Sequence, residues 1–328
     1  MSTSLAMISV QIARFTLPVI ISFGIAGNLL NIIVLTRRRL YNNACSRYFL
    51  AAAVNNLLVV CLVLVYRFLM NVYQVDLGTY SEISCRIINY IITLTSYISP
   101  YLIISASIDR YCASSINARI RKFSSVRVSQ WVIFIILIAY AVFFINIFFL
   151  YDLHSSKGFT CALQADTVYS RIYVILQVFL YALAPPFLMI LFGVRTIHNI
   201  KRSRLLSVVI SRFNRTEQQL ARMLIFQVCV HVSLTIPASV FYLLSALPNV
   251  ISPTSTYVFL STIALLLYYC SYSSSFFLYF LSGSIYRQEL LELFHKIFPN
   301  RVGNRIVPVA NVTLHPLRTV VFNQRSAV

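Results

Sequence analysis

A carboxylate and a guanidinium stand side by side in Asp109-Arg110-Tyr111, at the end of a long apolar stretch. Arginine keeps its charge at every physiological pH, so in apolar surroundings its fork must be paired or hydrated, and Asp109 is the adjacent partner. The chemistry on offer is reversible charge pairing. Covalent chemistry is not: the sequence has no His-Glu metal motif, nucleophile-base pair, zinc-type cysteine cluster or C-x-x-C spacing, so no catalytic residue, metal or cofactor is assigned. The other reactive residue of the same stretch is Cys85, 24 positions before Asp109. On a helix rising about 1.5 Å per residue this is about 36 Å, enough to cross a hydrocarbon core of about 30 Å with modest tilt. A thiol at one face of a membrane and an acid-base pair at the other therefore share one helix.

Such a helix has to belong to a set. Hydrophobic residues fill 59% of the 328 positions and charged residues only 11%, against about 25% in soluble proteins, so a soluble fold could not hide the apolar surface. Apolar blocks run from 12 to 36, 46 to 70, 86 to 111, 128 to 150, 171 to 197, 219 to 245 and 256 to 280, each long enough to span. The expected fold is all-α integral membrane: a seven-transmembrane helix bundle over 12–283, preceded by a short extracellular N-terminus at 1–11. The first block runs past a signal-peptide core and lacks a clear small-residue cleavage site, so it stays as helix 1.

After the bundle, Tyr286, Leu290, Leu293, Phe294 and Ile297 repeat at helical spacing, with Arg287, Glu289, Glu292 and Lys296 on other faces. This predicts a short amphipathic eighth helix at 284–298 lying on the membrane surface, followed by a basic cytoplasmic tail at 299–328.

The net charge of +19 is distributed rather than pooled. All the Lys and Arg except Arg14, Arg67, Arg86, Lys157 and Arg171 fall on one side of the seven spans. By the positive-inside rule the N-terminus is extracellular, the C-terminus is cytoplasmic, and the basic loops face anionic lipid rather than nucleic acid. Cys45, Cys61, Cys112, Cys229 and Cys270 lie within helices or at their cytoplasmic ends. Only Cys85 and Cys161 reach the oxidising side, which permits one pairing. The sequons at Asn214 and Asn311 fall on the cytoplasmic side and are expected to carry no glycan.

Seven spans, an outside N-terminus, Cys85 with Cys161, and Asp109-Arg110-Tyr111 together resemble the rhodopsin-like receptors coupled to G proteins, over residues 12 to 298. Gly27-Asn28 in helix 1, the single Trp131 early in helix 4 and Pro237 in helix 6 fall at that family's spacing. The resemblance implies a plasma-membrane receptor for an extracellular ligand, with a heterotrimeric G protein as cytoplasmic partner. Its activation switch would be Asp109, Arg110, Tyr111, Glu217 and Tyr279. Glu217, 20 residues before Pro237, holds the place of the acidic end of an inter-helix lock, and it is the only acid among the basic residues from 195 to 222.

Several departures matter. Helix 2 carries Asn56 where the family has an acid, so no carboxylate remains for an intramembrane sodium ion. Asn28, Asn56, Ser99, Ser271 and Ser275 are expected to form a neutral polar core, with helix packing as the competing role for such small residues. Helix 6 has Thr235 in place of the usual tryptophan and His231 in place of a phenylalanine. Helix 7 reads Ser275-Phe276-Phe277-Leu278-Tyr279, keeping the tyrosine without the kink-forming proline. Helix 5 carries Pro185-Pro186 and then Gly193 near the place of a tyrosine.

For the ligand, the resemblance argues by elimination. Ile92 stands where amine receptors carry an aspartate, and Tyr269 where opsins carry the retinal-linking lysine. The outer half offers Asn89, Thr93, Ser96, Tyr97, Gln177, Tyr181, Tyr242, Tyr268, Tyr269 and Tyr272, a neutral aromatic lining suited to a peptide or a small molecule. Asp76, Glu82, Asp152 and Asp166 in the outer loops would attract a basic, neuropeptide-like ligand. A decoy that binds ligand without signalling is the serious alternative, given the altered helices 6 and 7. A transporter or channel is disfavoured by the absence of an inverted repeat and of paired intramembrane charges.

Overall fold

The computed structural model describes residues 2–154, 160–163, 168–205, 215–246 and 254–297. Seven of its helices are long and apolar enough to cross a membrane. They are α1 (Ser2–Leu35), α2 (Ala44–Tyr73), α3 (Glu82–Ser114), α4 (Val126–Leu150), α5 (Arg171–Lys201), α6 (Arg215–Ala246) and α7 (Ser255–Ser273). A bend at Ser274 leads from α7 into a short helix, Ser275–Ser282, and Gly283 separates that from α8 (Ser284–Ile297). α1 starts at Ser2, ahead of the apolar block that begins at 12, so the segment read as a short leader is helical from its second residue. The tail at 299–328, the sequons at Asn214 and Asn311, and Asp166 lie outside the described residues.

Local sequence sets the ends of these helices. Ser81 and Ser84 form a reciprocal capping box at the start of α3, Ser125 caps α4 through the Val128 N–H, and Thr254 caps α7 through the Tyr257 N–H. α2 ends at Gln74, whose φ of 57° places it in the left-handed region. The next turn closes on Asp76, whose carboxylate accepts from the Gly78 N–H at 2.8 Å and from the Tyr66 hydroxyl at 2.7 Å.

Two spans carry a π-helical turn, Val59–Leu64 in α2 and Val178–Leu183 in α5. Such a turn holds an extra residue and rotates the downstream part of the helix by about 100° relative to an uninterrupted one. Pro185 and Pro186 supply the cause in α5, since each lacks an N–H and crowds the carbonyl four residues earlier, at Tyr181 and Ala182. α2 has no proline beside its turn.

A large buried cluster gathers Leu35, Phe49, Leu102, Leu224, Tyr279 and Tyr286 towards the Arg110 end. A second joins Leu17, Val60, Leu64, Tyr268 and Tyr272 nearer the disulfide. Outward faces stay apolar: Trp131 is 62% exposed, and only 11% of the α4 window is buried. In a bilayer that surface meets lipid, and the backbone polar groups are satisfied within each helix. α1 packs closely on α7 and on the short helix after it: a side chain at Gly24 would meet the Ser273 Oγ at 2.6 Å, and one at Gly27 would meet Phe276 at 3.0 Å.

Candidate functional site

α3 carries Arg110 near its C-terminal end, ahead of the last turn, and the side chain is 1% exposed. Its Nε donates to Asp109 Oδ2 at 3.0 Å, its Nη2 binds the same oxygen, and its Nη1 donates to Glu217 Oε2 in the first turn of α6. The two acids differ: the Asp109 side chain is 4% exposed and that of Glu217 is 24% exposed. The remaining oxygen of Asp109 accepts from the Ser124 hydroxyl at 2.8 Å, which ties the pair to the loop after α3. Tyr111 points elsewhere, packing on Phe192 of α5 with ring centroids 6.0 Å apart. Tyr279 is buried, stacks on Phe49, and donates to Gln227 Oε1 of α6 at 2.5 Å. One charged and one neutral contact thus hold α6 against its neighbours at this end, and Gln219 adds a third by accepting from the Ile285 N–H at 2.9 Å.

At the other end a disulfide joins Cys85 to Cys161 across a Cα–Cα distance of 5.6 Å. Cys161 sits on a two-stranded antiparallel hairpin, β1 (Tyr151–His154) and β2 (Thr160–Leu163), opposite Leu153. Beneath it is a cavity of about 210 Å³ lined by Thr93, Ser96, Tyr97, Gln177, Tyr181, Tyr242, Tyr268 and Tyr269, together with Val63, Arg67, Ile92 and Leu265. Gln177 organises one wall, accepting from the Tyr242 hydroxyl at 2.6 Å and donating to the Tyr173 oxygen at 2.6 Å. Tyr181 stands edge-on to Tyr242 and Tyr268, with centroids 5.5 and 5.6 Å away.

Two of the ten residues expected to line this cavity do not. Asn89 donates to the Cys85 carbonyl at 2.9 Å and lies 3.0 Å from the Cys161 sulfur, bracing the disulfide. Tyr272 is buried among the helices, its hydroxyl bonded to that of Tyr268 and to the Ser96 carbonyl. Arg67 was not expected. It was legible only as one of the few basic residues on the outer side, and the π turn in α2 hid which way it faces.

The family model for 7 transmembrane receptors (rhodopsin family) matches residues 27–277, more than half of the chain. The chain belongs to that family. Comparison with curated proteins finds no significant match.

As a rhodopsin-family receptor it is a multi-pass membrane protein, and its centre departs from the expected polar cluster. Asn55 is the organising residue, donating to the Thr95 carbonyl at 2.8 Å and to Ser99 Oγ at 2.7 Å, while Ser99 donates to Asn56 Oδ1 at 2.6 Å. Asn28 joins α1 to the Tyr272 carbonyl at 3.0 Å. Ser275 instead accepts from Asn31, which in turn accepts from the Tyr286 hydroxyl at 2.7 Å. Ser271 Oγ has no hydrogen-bond partner among the described residues. The five residues expected as one group therefore divide into an α2–α3 knot, a suture from α1 to α7, a second from α1 to the short helix after α7, and a serine with no partner among the described residues. Facing cannot be read from adjacent asparagines in an apolar helix, which is why Asn55 was missed beside Asn56; Asn31, three residues after Asn28, was legible as a polar residue on the same side of α1.

Proposed function

We propose that this rhodopsin-family receptor lies in the plasma membrane with the disulfide end outside, binds an extracellular non-amine ligand in the cavity under the hairpin, and activates a heterotrimeric G protein at the Arg110 end. The observation that carries this reading is Arg110 itself. A buried guanidinium held by acids on two different helices is a latch, because moving α6 removes Glu217 and frees part of the fork. Ligand binding favours the state in which the inner ends of α3, α5 and α6 stand apart, and a G-protein helix enters beside Arg110. The receptor acts by binding and shape change, with no covalent step.

The cavity is smaller than the roughly 300–1,000 Å³ usual for ligand pockets, so it takes a compact ligand or the terminal residue of a peptide. Nucleotide exchange on a panel of G proteins, with a library of peptides and small molecules and with Arg110→Ala in parallel, tests the proposal. Stimulated exchange that is lost in the variant is expected. A compound that binds the receptor without stimulating exchange on any heterotrimer would favour the decoy reading.

A further inference from the structure

Arg67 is the one charged side chain among the described residues lining the cavity. Its Nε is buried and has no hydrogen-bond partner among the described residues. The groups beside it are phenols: the guanidinium carbon lies 5.9 Å from the Tyr66 ring centroid, and the Tyr269 hydroxyl interacts with it. The described acids of this end are engaged elsewhere. Asp76 accepts from Tyr66 and Gly78, Asp152 pairs with Arg86 at 2.6 Å, and Glu82 lies 3.6 Å from the same Arg86. The acids that the sequence offered for a basic ligand are thus held at the rim, while a cation faces the interior.

Arg67 is half-buried, with its Nε shielded and no acid among the described residues pairing with it, and its planar fork fits a carboxylate in two parallel bonds. We propose that the cavity takes a ligand bearing a carboxylate, held by Arg67 with the Tyr269 phenol as a further donor and its apolar part against Tyr181 and Leu265. The carboxylate belongs either to a small organic acid or to the C-terminus of a peptide. The α2 π turn is the device that aims the charge, since removing its extra residue would rotate Arg67 by about 100°. This proposal rests on the reading of the cavity as the ligand site, and deepens it by naming the ligand's chemistry.

Two measurements on the full chain in lipid nanodiscs test it. First, Thr93→Cys is labelled with an anionic sulfonatoethyl and a cationic trimethylammonioethyl methanethiosulfonate, with the labelling of the parent protein subtracted. The anionic reagent should be favoured at least fivefold relative to a free thiol, and adding Arg67→Gln should abolish the preference. No preference, or one appearing only with Asp166→Asn, means that the protein itself neutralises Arg67, and overturns the proposal.

Second, thermal stabilisation is measured with benzoylglycine against its amide, and with a tetrapeptide ending in phenylalanine as free acid against its amide. The acid of at least one pair should bind at least tenfold tighter than its amide, with the advantage lost in Arg67→Gln and partly kept in Arg67→Lys, which guards against misfolding. Which pair responds identifies the source of the carboxylate. Equal binding of acid and amide overturns carboxylate recognition while leaving the cavity reading intact. Binding that survives Ser96→Trp lies outside the cavity and overturns both. With no probe bound, the labelling preference decides.

Discussion

Replacing Glu217 by glutamine removes one of two negative partners of Arg110 and leaves the side chain nearly isosteric. Breaking a buried pair typically costs about 3–5 kcal/mol, and an exposed pair contributes about 0–1 kcal/mol. The Arg110–Asp109 half belongs to the first class and survives the substitution, so the bundle should fold. The Glu217 side chain is 24% exposed, and solvent screening places its share between these limits, at about 1–2 kcal/mol. With every 1.4 kcal/mol worth about tenfold, the ratio of open to closed bundle rises by roughly 5- to 30-fold. Basal nucleotide exchange should rise by a comparable factor for as long as the open state stays a minority. Glu217→Asp, which keeps the charge on a shorter stem, should fall between wild type and glutamine. The assay is exchange by purified receptor with a panel of heterotrimers, beside distance distributions between spin labels on the inner ends of α3 and α6. If Glu217→Gln leaves both the distances and basal exchange within about twofold of wild type, the latch is refuted.

Gln227→Leu leaves the buried Tyr279 hydroxyl without its acceptor and should lower stability by about 1–3 kcal/mol, read as a fall in the thermal unfolding midpoint of the purified receptor. Cys161→Ser opens a disulfide that spans 76 residues and should cost on the order of 4 kcal/mol, measured as lost stability that dithiothreitol no longer lowers further. Gly24→Val drives a side chain into Ser273 and Val60 and should cost about 1–3 kcal/mol by overpacking, seen as reduced yield of monodisperse protein and a lower unfolding midpoint. Ser124→Ala removes the loop's bond to Asp109 while leaving both acids on Arg110, so basal exchange should change far less than in Glu217→Gln.

The spans, the cysteine pair and the triplet in α3 were legible because each depends on residue type and long spacing alone. An apolar run of sufficient length has one stable solution in lipid, whatever its neighbours do. The facing of individual side chains was less legible, for a physical reason. In a soluble helix the polar stripe marks the outside, but a membrane helix is apolar on the lipid side and nearly so within, so its sequence has little periodicity to read. Asn55 and Asn56 differ by about 100° around α2, yet both reach Ser99, one as donor and one as acceptor. The π turns compound the problem by shifting phase within a helix, and with no proline beside it the turn in α2 left no mark in sequence. The missing proline of α7 misled in the opposite sense: the bend persists at Ser274, where the side chain bonds back to the Ser271 carbonyl at 3.0 Å.

These bonds also bear on how a cavity without the family's tryptophan could communicate with Arg110. Tyr268 and Tyr269 of α7 line the cavity, and Tyr272, one turn further, carries the Tyr268 bond to the Ser96 carbonyl and the Asn28 bond to α1. Below the bend, Ser275 and Tyr286 converge on Asn31, and Tyr279 reaches Gln227 on the helix that bears Glu217. Each neutral bond is worth about 0.5–1.5 kcal/mol net, so exchanging two of them between states amounts to the roughly 1–3 kcal/mol typical of coupling between sites. Burial pushes the Tyr286 phenol up from its ordinary pKa, so it remains a protonated donor to Asn31 throughout the physiological range. In the proposed mechanism the element with two positions is α6, whose polar contacts to α3, to the short helix after α7 and to α8 include Glu217, Gln227 and Gln219, and all three can be exchanged for water or for a partner protein. Under the proposed function, a displaced α7 would bias this bundle without a sodium-binding acid or a helix 7 proline, provided that Tyr279 carries Gln227 with it.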